Sequence, residues 1–331
     1  MCESNLSMFK SQVYSQFFRK IIFLYHSCLV FITFELYILS MNIKSKTARL
    51  SIWSNTLLII LNTIVGIFSG SVSIISEAVH TLIDLMAAVM AFYSVKIAEK
   101  PADKSHPFGH GKFENISGVV EAILIFVASG WIIYHAVNRL IDGEQMIGEY
   151  GLTLGFMVMM VSAIVNLIVS RRLYKVAKET DSIALKADAL HLSTHVYTSS
   201  GVGISLAVIY FTGWHFLDPI AAIVVASYIL KEAFEILIEA FKPLADASLP
   251  ENEVTLIDQT IRSNLRAGID YHMLRTRKAG SDREVDFHLE VPGEMTVSDS
   301  HELCDNIEHQ LQNKLPNLKV TIHVEPEGYH G

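Results

Sequence analysis

Ser76-Glu77-Ala78-Val79-His80-Thr81-Leu82-Ile83-Asp84 sets an imidazole and a carboxylate four residues apart inside a run, 72–98, apolar enough to cross a membrane. A second such run, 186–212, contains Ala187-Asp188-Ala189-Leu190-His191-Leu192-Ser193-Thr194-His195 and repeats the spacing with two imidazoles. Residues at i and i+4 leave one helix face with Cβ atoms about 5–6 Å apart. Two helices facing each other with these pairs offer four nitrogen and oxygen donors to one ion, the number zinc prefers. An Asp near the bilayer centre costs about 2.5–3.5 kcal/mol on insertion scales, and such groups mark ion pathways. The spacing therefore predicts a buried metal site made of His80, Asp84, His191 and His195. One carboxylate among neutral imidazoles suits borderline ions rather than magnesium or calcium, which take oxygen shells.

The rest of the chain is consistent with that setting. Hydrophobic residues make up 51% of the 331, too many for an ordinary soluble domain. Runs near the roughly 20 residues of a spanning helix fall at 50–69, 72–98, 114–140, 151–171, 186–212 and 214–240, after which charge rises. Lys44, Lys46 and Arg49 precede the first run; Lys96, Lys100, Lys104 and Lys112 follow the second; Arg171, Arg172, Lys175, Lys178 and Lys186 follow the fourth. The positive-inside rule puts those connections, and so the C-terminal segment, in the cytoplasm. The opposite connections are short or acidic, as at Asp142, Glu144 and Glu149. The expected organisation is an N-terminal extension (1–44), a six-helix transport domain (45–243) and a cytoplasmic metal-binding domain (244–331). Within the extension, the apolar stretch from Ile21 to Ser40 reads as a seventh span, a signal-like segment or an interfacial helix, and Met41 offers a second start.

Asp103-Lys104-Ser105-His106-Pro107-Phe108-Gly109-His110-Gly111-Lys112 follows the second run. Pro107 and Gly109 allow a turn that folds Asp103, His106 and His110 around one ion. Past residue 244 the pattern is a helix from Glu251 to Leu265, strands at Tyr271–Thr276 and Glu284–Val291 about a turn at Gly280, a helix from Thr296 to Leu315 stopped by Pro316, and a strand at Lys319–Val324. This small α+β unit has 8 Lys and Arg against 16 Asp and Glu, so it carries −8, equal to the formal charge of the chain. Such acidity favours divalent cations and disfavours nucleic acid as a partner. Cys2, Cys28 and Cys304 form no CxxC, which points neither to disulfides nor to a thiolate metal site.

His106-Pro107-Phe108-Gly109-His110-Gly111-Lys112, the Ser76–Asp84 and Ala187–His191 stretches and Leu217-Asp218-Pro219 together resemble the cation diffusion facilitators over roughly residues 45–327. The resemblance implies six transmembrane helices, a cytoplasmic metallochaperone-like αββαβ domain, a homodimer in the cell membrane of a bacterium, and export of divalent metal in exchange for protons. It assigns transport to His80, Asp84, His191 and His195, the last standing where Asp is usual. It also implies a cytoplasmic zinc cluster at His272, His288, His301, His323 and Glu325, where the usual carboxylate is Asp, and a charge interlock between Lys112 and Asp246. Zinc is the expected transported and regulatory ion. Cobalt, nickel, iron and cadmium are the alternatives for the same mechanism.

Two other function classes compete. An intramembrane metalloprotease would need His-Glu-x-x-His, which is absent from the sequence, and a closed four-donor site leaves no position for catalytic water. A membrane-anchored metal sensor without flux would need only the tail.

Overall fold

The computed structural model describes residues 42–69, 72–142, 152–212 and 217–328; the N-terminal extension up to residue 41 and the acidic residues Glu144 and Glu149 lie outside them. Six long helices come first: α1 (Ile43–Ser69), α2 (Val72–Ala98), α3 (Lys112–Asp142), α4 (Leu152–Thr180), α5 (Ile183–Thr212) and α6 (Leu217–Phe241). Stretches of three of them, Ile43–Val65, His80–Ala98 and Lys112–Asn138, are long and apolar enough by themselves to cross a membrane. The helices pack through small residues. Ala87, Ala88, Ala91, Ala122, Ala184, Ala187, Ala189, Ala226, Ala233 and Ala240 are all buried, letting backbones approach where lipid offers no hydrophobic drive. Large apolar groups such as Trp53, Leu57, Ile60 and Ile64 on α1 and Ile116 and Ile123 on α3 face outward, as lipid-facing side chains should.

Helix α3 lies along α6 and α4 along α5, while α5 also touches α2, α3 and α6. Helix α5 is thus central, and both its imidazoles come within reach of α2. Helix α4 runs past the end of its apolar run at 171 to Thr180. Its extension has good helix formers, and its Leu173, Val176 and Ala177 are buried against Val95 of α2 and Ala184 and Leu185 of α5. The turn into α5 is made by Asp181 at a left-handed φ of 53°.

After a short 3-10 turn (Lys242–Ala245), the tail runs α7 (Glu251–Asn264), β1 (Asp270–Ala279), β2 (Asp282–Val291), α8 (Val297–Lys314) and β3 (Leu318–Pro326). The order is the expected αββαβ. Strand β2 is central, antiparallel to β1 and parallel to β3. One sheet face buries Val285, Phe287 and Leu289 against Ile257 and Ile261 of α7 and Ile307 and Leu311 of α8. Alternation along a strand then turns His288 to the other face. Helix α8 starts where the Thr296 side chain accepts a hydrogen bond from the Asp299 N–H, an ordinary N-cap. Strand β1 runs on to Ala279, beyond the expected Thr276, because the hairpin stays paired up to Ala279↔Asp282.

Candidate metal centres

Inside the membrane domain, α2 and α5 bring their pairs together. Asp84, 3% exposed, lies between two imidazoles of α5: His191 Nε2 is 3.0 Å from Oδ1 and His195 Nε2 3.3 Å from Oδ2. His80 meets His195 edge-on with ring centroids 5.7 Å apart, and His80, Asp84 and His195 each offer a donor within 4.8 Å of the others. A tetrahedral zinc with arms of about 2.0–2.1 Å has donors about 3.3–3.4 Å apart. The group therefore needs only small side-chain movement to match. The four residues line a cavity of about 480 Å³ that also reaches Asn55 of α1 and Asn166 of α4. Asn55 Nδ2 and Asn166 Oδ1 are buried with no hydrogen-bond partner among the described residues, which suits groups orienting a hydrated ion or its ligands. Sequence reading missed both asparagines, because nothing in their local pattern separates them from helix-packing amides.

The loop between α2 and α3 gathers Asp103, His106 and His110. Asp103 Oδ1 accepts hydrogen bonds from the Ser105 N–H and hydroxyl (2.8 and 2.7 Å) and the His106 N–H (2.8 Å). Those bonds, the Ser105 hydroxyl foremost, hold the Asp103 carboxyl at about 2, below the usual carboxylate range. Its Oδ2 lies 3.4 Å from His110 Nε2, and the His106 and His110 rings are 4.5 Å apart. Gly109, at φ 94°, makes the turn that lets both rings face the same carboxylate. An anionic carboxylate beside two imidazoles fits a dication.

On the open face of the tail sheet, register does the assembling. His272 pairs with His288 across β1 and β2, and His288 with His323 across β2 and β3. Glu290 and Glu325, two residues on and therefore on the same face, pair with each other. Glu325, 8% exposed, reaches His272 Nε2 at 3.0 Å and His288 Nδ1 at 3.3 Å, with His323 Nε2 at 3.9 Å. Glu290 closes on His272 Nδ1 at 2.9 Å, a fifth member the sequence reading did not include. His301 stands apart: on α8 it is 75% exposed and meets Asp305 at 3.7 Å, away from the strands that hold the row.

Where the tail joins the helices, Lys112 Nζ lies 2.7 Å from Asp246 Oδ1, with Arg277 at 3.5 Å. The bond from Lys112 holds the Asp246 carboxyl below its ordinary range. Both partners of the Lys112–Asp246 pair are more than a third exposed, so it contributes only about 0–1 kcal/mol. More specific contacts lie beside it. Arg283, 10% exposed, bridges Asp181 at 3.0 Å and Glu253 at 2.8 Å. The buried Asn115 Oδ1 accepts the Gly280 N–H at 2.8 Å. A Cβ on Gly111 would come within 2.2 Å of the Ala279 carbonyl oxygen, and one on Gly280 within 2.6 Å of the Gly111 oxygen. The β1–β2 turn thus seats backbone against backbone on the start of α3. Gly280 also sits at φ 62°, so Gly280→Ala is expected to weaken docking by about 1–3 kcal/mol. Spin-label distances between α3 and β2 should broaden in the variant while the isolated tail stays folded; an unchanged distribution would refute the seat.

Residues 48–245 match the family model described as the cation efflux transmembrane domain, and residues 249–327 match that described as cation efflux protein, cytoplasmic domain. An uncharacterized transporter of Synechocystis sp. is 37% identical over 258 residues, spanning 78% of this chain and 82% of that protein. The cation-efflux pump FieF of Yersinia enterocolitica is 29% identical over 286 residues, 85% of this chain and 94% of that one. Among solved structures, the metal-bound C-terminal domain of the CzcD transporter from Thermotoga maritima is 29% identical. It covers 25% of this chain and 100% of its own, with a TM-score of 0.22.

Proposed function

The chain belongs to the cation efflux family, and from that premise we propose that it exports zinc in exchange for protons by alternating access of one site: His80, Asp84, His191 and His195. Divalent cation efflux, residence in a membrane and a cytoplasmic C-terminal domain belong to the family; zinc, the proton and the bacterial inner membrane are our reading. One observation carries it. A single buried carboxylate is held by two imidazoles, so ion and proton compete for the same atoms. Imidazole coordinates only when neutral and titrates near physiological pH. Zinc entering from the cytoplasm displaces the contacts between Asp84 and the two imidazoles. A rearrangement of α1, α2, α4 and α5 then turns the site outward, where more acidic surroundings protonate the imidazoles and release the ion.

The test is flux in proteoliposomes with an imposed pH difference. Zinc uptake driven by the gradient, with proton counterflow, is the expected outcome; metal binding without flux would favour the anchored-sensor reading.

In the same reading, two copies dock through the tail, and zinc at His272, His288, His323 and Glu325 favours docking because each copy's tail carries −8. Exchanging both His288 and His323 for Ala should loosen the dimer and lower apparent metal affinity without ending transport. Sedimentation with and without zinc checks it: an equilibrium indifferent to zinc in the native protein would sink this role for the row.

A further inference from the structure

Helix α3 carries a stripe of buried polar groups that the transport site does not use. Glu114 (1% exposed), Ser117 (1%) and Glu121 (0%) occupy one face at i, i+3 and i+7. They run from the cytoplasmic end of the helix about 10 Å into the membrane domain. Glu114 accepts a hydrogen bond from the Ser182 hydroxyl at the α4–α5 turn. Glu121 is different: both carboxyl oxygens are buried with no hydrogen-bond partner among the described residues, as is the Ser117 hydroxyl. Asp188 of α5, 1% exposed, is the acidic neighbour that acts on it. One Asp188 oxygen accepts from the Ser51 hydroxyl of α1 at 3.0 Å, and the other has no hydrogen-bond partner among the described residues.

An ionised carboxylate stripped of water and given no donor is costly, and a second acid nearby raises that cost. The neutral acid avoids it. We propose that Glu121 is a proton-binding site separate from the metal ligands, occupied while the transport site lacks its ion and emptied toward the cytoplasm when the dication binds.

Position supports the coupling. Leu124 to Ile132 of the same helix line the transport cavity, so Glu121 lies about one turn to its cytoplasmic side. Asp188 precedes His191 by three residues and feels both His191 and Asp84. The four metal ligands include only one carboxylate, so a bound dication leaves +1, and a nearby acid that loses its proton cancels it. The proton leaves the Glu121 carboxyl, which becomes a carboxylate, and passes along Ser117 and Glu114 to the cytoplasm; an outside proton replaces it after the ion departs. The titratable group that acts on Glu121 is Asp188 from α5, and Asp188 in turn meets His191 from α5, Asp84 from α2 and the neutral Ser51 from α1. From α6 the packed face is apolar, with Ile236 and Ala240.

The proposal rests on the transport reading, and the test separates the two. Zinc is titrated into purified full-length protein in lipid nanodiscs, in weak buffer near neutral pH, while an indicator dye counts protons released. Asp84→Ala is expected to lose one class of bound zinc together with its protons; if it binds like the native protein, the transport site is wrong. Glu121→Gln is expected to bind the same zinc and release about one proton fewer per ion at that site, with Glu121→Asp restoring it. Equal release from native protein and Glu121→Gln would overturn the proposal with the transport site intact. Infrared difference spectra of the native protein give a second test that needs no variant at Glu121. The carbonyl band of a protonated carboxylic acid should vanish on zinc binding, and should persist in Asp84→Ala; no loss in the native protein would equally overturn it.

Discussion

Asp84→Ala is expected to abolish metal flux while leaving the fold and the dimer in place. Partners that only orient a metal ligand typically affect affinity about 10–100-fold when removed; this substitution takes away the one carboxylate of the proposed site, so the loss should exceed that range. The fold should survive because the side chain faces a cavity of about 480 Å³, and the imidazoles it releases can turn to water there. Radiotracer uptake into proteoliposomes, with size-exclusion and circular dichroism as controls, checks both halves. Normal uptake by a well-folded Asp84→Ala protein would remove Asp84 from the site.

His195→Asp should change two properties at once. His195 Nε2 lies 3.3 Å from Asp84 Oδ2, so an aspartate there adds a second carboxylate beside the first. A group with a reference pKa of about 6.5 gives way to one of about 3.9. Protons compete with metal wherever the ligand is basic, so the native site should lose zinc as pH falls from about 7 to 5. The variant should hold it to lower pH. A carboxylate oxygen also suits manganese better than an imidazole does, and the range of ions should widen toward it. Titrations with zinc and manganese at several pH values decide the matter; identical profiles for both proteins would show that His195 is no ligand.

The membrane pairs were legible because helix geometry converts four-residue spacing directly into a shared face, and apolar runs locate the helices. The loop was legible for a similar reason: Asp103, His106 and His110 are close in sequence, and Gly109 marks the turn. The tail row was only partly so. His288 and His323 meet through parallel pairing across an intervening helix, and Glu290 enters through register with Glu325; neither follows from alternation within one strand. His301 was grouped with them by the family resemblance; within one protomer it sits on α8, outside the row that strand register builds. The contacts of Asn115, Asp181 and Arg283 at the junction join residues far apart in the chain, and no local pattern announces them. Glu121 was overlooked because a single acid in an apolar helix gains meaning only from the lack of partners around it.

The glycine seat also limits how such a protein can vary. A side chain on Gly111 would need the Ala279 carbonyl to yield, and one on Gly280 the Gly111 backbone, so a side chain at one position cannot be offset by a change of side chain at the other. In a saturation library selected for metal resistance, both sites should be intolerant individually and show no rescue in combination, unlike the neighbouring Lys112–Asp246 pair, where swapping the charges can restore the contact. Tail domains exchanged between relatives should function only where the donor hairpin brings its own bare turn to that spot.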